Sequence, residues 1–348
     1  MDFDKVLREG NLSRRDLLRL GISTAGCLAL PSFLSSCSYS DSDIQGGKIN
    51  PADTIKNKRM QEGAVLTSWW YTDYGLHTDD TLQYLYDLGV ESVSVLATWY
   101  QNDQNSLDIE RGSFKTPFDS GLEHVLKKAR YKFGFRTTLK PHVDLWNGGY
   151  RGDIRHSLDA DWDQWFQSYT DFITHYAELA ERNQVDCLVI GTELDGTTHR
   201  PEWRQVISAV RQVYPSGKIL YSAHWNTYKN VPFWDDLDGV GIGVYFPKPE
   251  FAARAQEAKD FAGQLGKKLY ILEVGCQSRA GAGDTPWWSS GAYDEQEQAD
   301  YYQTVFDNFF NQCDGIFFWH VYHNLTDPDG FPFNNKLAEQ KVRNFFDR

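Results

Sequence analysis

Between residues 61 and 323, short apolar runs alternate with longer stretches whose apolar residues recur every three or four positions. The runs are "AVLTSWW" (64–70), "ESVSVLATW" (91–99), "FGFRTTLKPHV" (133–143) and "VDCLVIGTE" (185–193), then "KILYSAHW" (218–225), "GVGIGVYF" (239–246), "KLYILEVG" (268–275) and "GIFFWHVYH" (315–323). Their β-branched and aromatic content marks them as strands. The stretches between them read as amphipathic helices, among them "DDTLQYLYDLG", "FDSGLEHVLKKARYK", "WDQWFQSYTDFITHYAELAERN", "EWRQVISAVRQVY", "EQEQADYYQTVFDNFF" and, at the end, "NNKLAEQKVRNFF". Runs this continuously apolar suit strands covered on both faces, as in a parallel sheet packed under helices. Eight such units in succession predict an α/β fold, a (β/α)8 TIM barrel that forms a single catalytic domain over residues 61–348. An open, doubly wound sheet is the alternative topology.

The first sixty residues follow neither period. "NLSRRDLLRLGISTAGCLALPSFLSSC" sets Arg14 and Arg15 ahead of an apolar stretch that ends in Leu34, Ser35, Ser36 and Cys37. Gly21, Gly26 and Pro31 interrupt that stretch and argue against an ordinary N-terminal helix. Ser-Arg-Arg-x-Leu-Leu resembles a twin-arginine export signal, and Leu-Ser-Ser-Cys resembles a bacterial lipobox. The likeness implies a signal peptide over residues 1–36 and lipidation of Cys37, which becomes the mature N-terminus. The protein is then expected to be an exported lipoprotein, periplasmic or at the cell surface, anchored to a bacterial membrane. Cys27 lies too early to have a sufficient apolar stretch before it. From Cys37 to residue 60 the chain is polar, rich in Ser, Asp and Gly, and reads as a tether.

Composition narrows the partners. Hydrophobic residues at 41% and charged residues at 24% place the chain with globular rather than disordered or membrane-spanning proteins. The net charge is −13, and losing residues 1–36 would remove four acids and five bases, leaving the remainder one unit more negative. An acidic surface repels phosphate, so no nucleic acid is expected, and membrane contact is expected through the lipid anchor only. A neutral ligand fits best. Beyond Cys37 the cysteines are Cys187, Cys276 and Cys313, with no framework for disulfides and no metal spacing, and they read as buried thiols.

The candidate chemistry sits at two strand ends. Glu193 closes the fourth run and Glu273 the seventh, and in a TIM barrel the C-terminal strand ends surround one central mouth. A carboxylate driven there by an apolar strand is either paired or used. Two carboxyl groups flanking an acetal are the equipment of glycoside hydrolysis: one protonates the leaving oxygen and the other attacks the anomeric carbon. Aromatic residues support a sugar cleft. The chain has 12 Trp, and Trp69, Trp70, Trp99, Trp146, Trp225, Trp287, Trp288 and Trp319 fall at or just past predicted strand ends, whereas Trp162, Trp165 and Trp203 fall on helices and read as packing. Trp99 is accordingly counted among the cleft residues. Tyr245, ending the sixth strand, is placed to donate a hydrogen bond to the attacking carboxylate.

The segments "LKPHVD", "YRGDI", "VIGTELDGTTHRPEWRQVISAVRQVY", "ILYSAHWN", "VYFP" and "ILEVGCQS", with "SVLATWYQNDQNS" after the second strand, together resemble glycoside hydrolase family 113, in the clan of retaining TIM-barrel glycosidases. The likeness spans about residues 63–325. It implies a β-1,4-mannanase or a related β-mannoside-cleaving activity with retention of configuration, acting on a neutral oligo- or polysaccharide without a cofactor. By motif it implies Glu193 as general acid/base, Glu273 as nucleophile, Tyr245 as the partner of Glu273, and Trp319 as the floor under the sugar. Lys140, His142, Asn147, Arg151, His224 and Trp225 are implied to contact hydroxyls or shape the cleft. Two positions depart from the pattern: the clan commonly has Asn before the acid/base where this chain has Thr192, and a Trp-Arg-Gly step reads Tyr150-Arg151-Gly152. Two rival functions remain at this stage: a carbohydrate-binding surface lipoprotein without turnover, and a transglycosylase acting on another β-hexoside.

Three further signals carry less. Gly239, Gly241 and Gly243 lack the spacing of a nucleotide loop and belong to the sixth strand. His320 and His323, on a strand, face opposite sides, so no metal site is expected. "TDPDGF" holds Asp327 and Asp329 but not the remaining ligands of a calcium loop, and reads as a turn.

Overall fold

The computed structural model describes residues 60–76, 78–322 and 330–346. The predicted leader, Cys37 and the tether lie outside the described residues, as do His323, Asp327 and Asp329. Eight parallel strands close in chain order into a barrel: β1 (Gln61–Thr67), β2 (Ser92–Gln101), β3 (Arg136–Leu145), β4 (Cys187–Thr192), β5 (Lys218–His224), β6 (Gly239–Val244), β7 (Lys268–Val274) and β8 (Gly315–Tyr322). Around it, the described residues form α1 (Thr78–Asp87), α2 (Asp119–Lys127), α3 (Asp159–Arg182), α4 (Glu202–Val213), α5 (Phe251–Gln264), α6 (Glu295–Phe309) and α7 (Leu337–Phe346), besides shorter helical turns. The TIM barrel expected from the alternation of runs is what forms.

One unit departs from the repeat. Between β5 and β6 the described chain forms two short 3-10 turns, Tyr228–Asn230 and Trp234–Asp236, and no α-helix. The segment is short and carries Pro232, which removes a donor from any helix that would include it. Tyr228, Val231, Phe233 and Trp234 are buried there and cover the barrel where a helix would otherwise lie.

The helices follow their apolar stripes. On α3, Trp162, Trp165, Phe166, Tyr169, Phe172, Ile173, Tyr176 and Ala177 recur at helical spacing and are all buried. Trp165 and Trp203 keep their indole N–H groups satisfied, donating to Gln101 Oε1 (3.0 Å) and to the Thr197 carbonyl (3.1 Å). The helix-borne tryptophans are therefore packing residues, as predicted, and Cys187, Cys276 and Cys313 are free and buried. Asp294 caps α6 by accepting from the Glu297 N–H.

The barrel interior is a small apolar plug of Val65, Cys187, Val189, Leu220, Tyr270, Leu272 and Phe317 under Trp319. The glycines of β6 make room for it. A Cβ on Gly239 would stand 2.8 Å from the Tyr270 ring, and one on Gly241 would stand 2.5 Å from Leu272 Cδ1 and 2.3 Å from the Tyr221 carbonyl.

Above the plug, three strands each gain one residue on their neighbours. β4 takes three steps from Val189 to Thr192 while β5 takes two from Leu220 to Ser222. β7 gains one between Ile271 and Glu273, and β8 gains one between Phe318 and Val321. Such bulges bend a strand and re-aim its next side chain. Here they fall at Glu193, Glu273 and Trp319.

Candidate active site

Glu193 follows β4 in a left-handed backbone (φ 51°), which a non-glycine residue adopts only when its surroundings hold it there. Three hydrogen bonds do so. The Tyr169 hydroxyl donates to the Ile190 carbonyl (2.5 Å), the Glu193 N–H donates to the Ser222 carbonyl (2.9 Å), and the Leu194 N–H donates to the Tyr221 hydroxyl (3.0 Å). The carboxyl group turns inward, and its Oε1 lies 3.6 Å from where a Cβ on Gly243 would stand. Gly243 is also the register partner of Glu273 across β6 and β7. Two glutamates 80 positions apart in sequence thus meet over one glycine.

Their environments differ. Glu273 is buried, and donors converge on it: the Lys140 ammonium on Oε1 and the Tyr245 hydroxyl on Oε2 at 2.9 Å. His142 faces the same carboxylate from beyond hydrogen-bonding distance. The Arg151 guanidinium, which can only donate, lies 2.8 Å from His142 Nδ1, so that nitrogen accepts and the proton sits on Nε2. His142 Nε2 lies 3.7 Å from Glu273 Oε1. Burial, with Arg151 and Lys140 nearby, holds the imidazole far below its ordinary pKa, so it is neutral. Among the described residues no donor is hydrogen-bonded to the Glu193 carboxyl group. Burial and then the charge of Glu273 push its pKa up to about 7, with Arg151 and Lys140 opposing.

Lys140 is fully buried. Desolvation lowers its pKa and the Glu273 carboxylate raises it. Its ammonium also lies 5.8 Å over the Trp319 ring and 3.4 Å from the Leu272 carbonyl. It therefore holds Glu273 from beneath, and of the two roles the resemblance implies for it, contacting hydroxyls or shaping the cleft, full burial leaves the second. Trp319, half-buried within β8, is stacked parallel to His142 (centroids 6.2 Å apart) and meets Trp69 edge-on at 6.3 Å. His320 next to it is buried, with Nδ1 2.8 Å from Thr67 Oγ1, and burial followed by Lys336 lowers its pKa to about 3.

On the Glu193 side opens a cleft of about 420 Å³, within the range of small-ligand sites, walled by Trp69, Tyr100, Trp146, Tyr150, Arg151 and Glu193. Tyr100 and Trp146 stack at 4.1 Å, and Arg151 is fixed by Asp144 at 2.6 Å. Tyr100, Asp144 and Asp195, which accepts from Tyr150 at 3.2 Å, were not singled out from sequence, and Tyr150 was noted only as a departure from the family pattern. Alternation along β3 from Lys140 through His142 would have pointed to Asp144.

Other expected cleft residues are placed as follows. His224 bonds to Asn226 (2.5 Å) and meets the Tyr150 ring edge-on. Trp225 stacks on Trp287. Asn147 spends its amide on Gln104 (3.1 Å) and the Gly149 N–H (2.8 Å), shaping the loop after β3. Trp99 is not brought to the mouth: it packs outward on Phe172, His175 and Tyr176 under Arg111, because Tyr100 takes the cleft side of β2 and its neighbour must face the other way.

The family model of Glycoside Hydrolase Family 113 matches residues 69–336. Among solved structures, a GH113 β-1,4-mannanase in a complex is similar at 26% identity with a TM-score of 0.79, over 83% of this chain and 99% of that one. The GH113 β-mannanase from Alicyclobacillus acidocaldarius in complex with ManMIm gives the same identity and TM-score, over 84% and 98%. The endo-β-1,4-mannanase from Thermotoga petrophila, at 12% identity and a TM-score of 0.55 over 84% and 77%, shares the fold. None of the curated proteins matches the chain.

Proposed function

The chain belongs to glycoside hydrolase family 113 and is a glycoside hydrolase; on that premise we propose that it cleaves β-1,4-linked mannan or manno-oligosaccharides with retention of configuration. The mannanases of the same family that it resembles over nearly their full length support the substrate. The observation that carries the mechanism is the unlike treatment of two neighbouring carboxyl groups. Glu273 is gripped as an anion by Lys140 and Tyr245, and Glu193 is pushed toward holding its proton.

In the first step a Glu273 oxygen attacks the anomeric carbon as the glycosidic C–O bond breaks, and Glu193 gives its proton to the leaving oxygen. Glu193, now a carboxylate, takes a proton from water, whose oxygen displaces Glu273 from the sugar. Each displacement inverts, so two retain. Trp319 supplies the floor of the pocket and the Trp69, Tyr100 and Trp146 rings its wall.

The test is hydrolysis of β-1,4-mannan and mannohexaose, with the anomer formed first read by proton NMR. The wild type should release the β-anomer, and Glu273→Ala should abolish turnover. Initial release of the α-anomer, or undiminished turnover by Glu273→Ala, would refute the mechanism. Export and anchoring through Cys37 are part of the same proposal, resting on residues 1–37, and are checked by incorporation of labelled palmitate that Cys37→Ser removes.

A further inference from the structure

A row of rings leaves the cleft on the side of β5 and β7. Tyr150, on the cleft wall beside Glu193, meets the His224 ring at 6.1 Å; His224 meets Trp225 at 5.4 Å; and Trp225 meets Trp287 at 5.7 Å. The last two lie nearly parallel, 17° apart. Beneath them the Arg254 guanidinium lies 5.0 Å from the centre of the Trp225 ring and is itself held by Glu250 at 2.6 Å. Trp287 is thus the outer member of a stack of guanidinium, indole and indole, and it remains 48% exposed.

The loop carrying Trp287 is tightly hydrogen-bonded. Gln277 Oε1 accepts from the Ser289 N–H (2.7 Å), Arg279 Nη1 donates to the Gly291 carbonyl (3.0 Å), Thr285 Oγ1 donates to the Trp288 carbonyl (2.8 Å), and the Lys248 N–H donates to the Gly283 carbonyl (2.7 Å). Leaving large indole surface in water on an ordered loop is costly unless something covers it.

We propose that Trp287, backed by Trp225 and Arg254, is a distal sugar-binding ledge that takes a pyranose ring of a neutral β-linked hexose chain several units from the bond that is cut. The occupant follows from continuity with the cleft and from chemistry. An apolar flat face next to ring hydroxyls' partners suits the C–H face of an uncharged sugar, and the ledge's one cation is neutralised by Glu250. The ledge rests on the reading of the cleft as a mannan site and extends it: the preferred substrate is a chain long enough to reach from Glu193 and Glu273 to Trp287.

The test compares chain lengths. In Trp287→Ala the ratio of kcat/KM for mannohexaose to that for an aryl β-mannobioside should fall about tenfold, a factor equivalent to about 1.4 kcal/mol. Trp287→Tyr, which keeps a flat face, should recover most of it. An unchanged ratio overturns the ledge. Calorimetric binding of mannohexaose and mannobiose to Glu273→Ala, with and without Trp287→Ala, separates the ledge from catalysis: the hexaose Kd should rise about tenfold and the biose Kd should not. Equal shifts for both, or none for either, overturn the ledge. Length-dependent binding in a protein that turns over neither substrate would sink the hydrolase reading and leave the ledge standing.

Discussion

Lys140→Met tests the electrostatic core of the site. Met has nearly the length of the lysine stem and fills the same buried volume, so the substitution removes the charge and leaves the packing. What it strands is Glu273, whose side chain is only 7% exposed. Removing one partner of a buried ion pair costs about 3–5 kcal/mol, because the remaining charge keeps its desolvation penalty. Tyr245 at 2.9 Å and the neutral His142 stay in place, which sets the loss at the lower end. The loss is read as folding stability, where about 3 kcal/mol is roughly a hundredfold in the folded-to-unfolded ratio. The assay is denaturant unfolding of the wild type and the variants at neutral pH, with thermal melts beside it. The double variant Lys140→Met/Glu273→Gln removes both charges and should melt above the single variant. A single variant as stable as the wild type, or a double variant that melts no higher than the single one, would refute the reasoning and reduce Lys140 to a core filler.

Glu193→Gln should keep much of its kcat/KM toward substrates with acidic leaving groups, whose departure needs no proton, while kcat falls for want of a base in the second step, and should lose about a thousandfold in kcat/KM on unactivated mannohexaose. It should also change stability in a defined window: the folded pKa of about 7 lies above the ordinary value of 4.5, so the wild type loses stability as pH rises between the two. The variant is therefore expected to be more stable above pH 7, by on the order of 2 kcal/mol, with the difference gone below pH 4.5, as read by denaturant melts. Tyr245→Phe removes one hydroxyl bond to a carboxylate and should lower kcat by about 10- to 100-fold, with the melt little changed. Gly241→Ala would press a Cβ to 2.3 Å from the Tyr221 carbonyl and should cost about 1–3 kcal/mol in denaturant melts, whereas Gly243→Ala, whose Cβ meets nothing nearer than Glu193 Oε1 at 3.6 Å, should fold like the wild type.

The barrel, its strand order and the carboxylate pair were legible because each rests on a local signal. A run such as Cys187–Thr192 is apolar enough to name itself a buried strand, and a glutamate at its end has one place to go. Trp99 shows where that logic stops. On a strand buried on both faces, residues of either parity are apolar, so sequence cannot say whether Trp99 or Tyr100 looks into the mouth. The bulges were hidden for a related reason: an extra residue on β4 or β7 exists only by comparison with the neighbouring strand, and its register is a long-range property. Sequence left open whether Lys140 contacts hydroxyls or shapes the cleft, because a lysine beside an active site is ordinarily solvated. Its place beneath Glu273 follows from the closure of the barrel, which brings β3 and β7 to a common interior. The missing helix between β5 and β6 had a local signature, a short segment containing Pro232, which the expectation of eight equal units passed over.

In the mechanism proposed above, the same charges that set the first step also prepare the second. With Glu273 ionised, its negative charge is the largest electrostatic influence raising the Glu193 pKa, and only desolvation acts more strongly. Once Glu273 is bound to the anomeric carbon it is an ester, and that charge is gone. Arg151 and Lys140, which lower the Glu193 pKa, remain where they were. Lys140 in particular has lost its own counter-ion, and Glu193 is the next carboxyl group that feels its charge. Glu193 is thereby shifted from an acid that holds its proton to a carboxylate able to take one from water. No side chain needs to move between the two displacements, because formation of the covalent bond is itself the change in electrostatics that exchanges the two roles of Glu193.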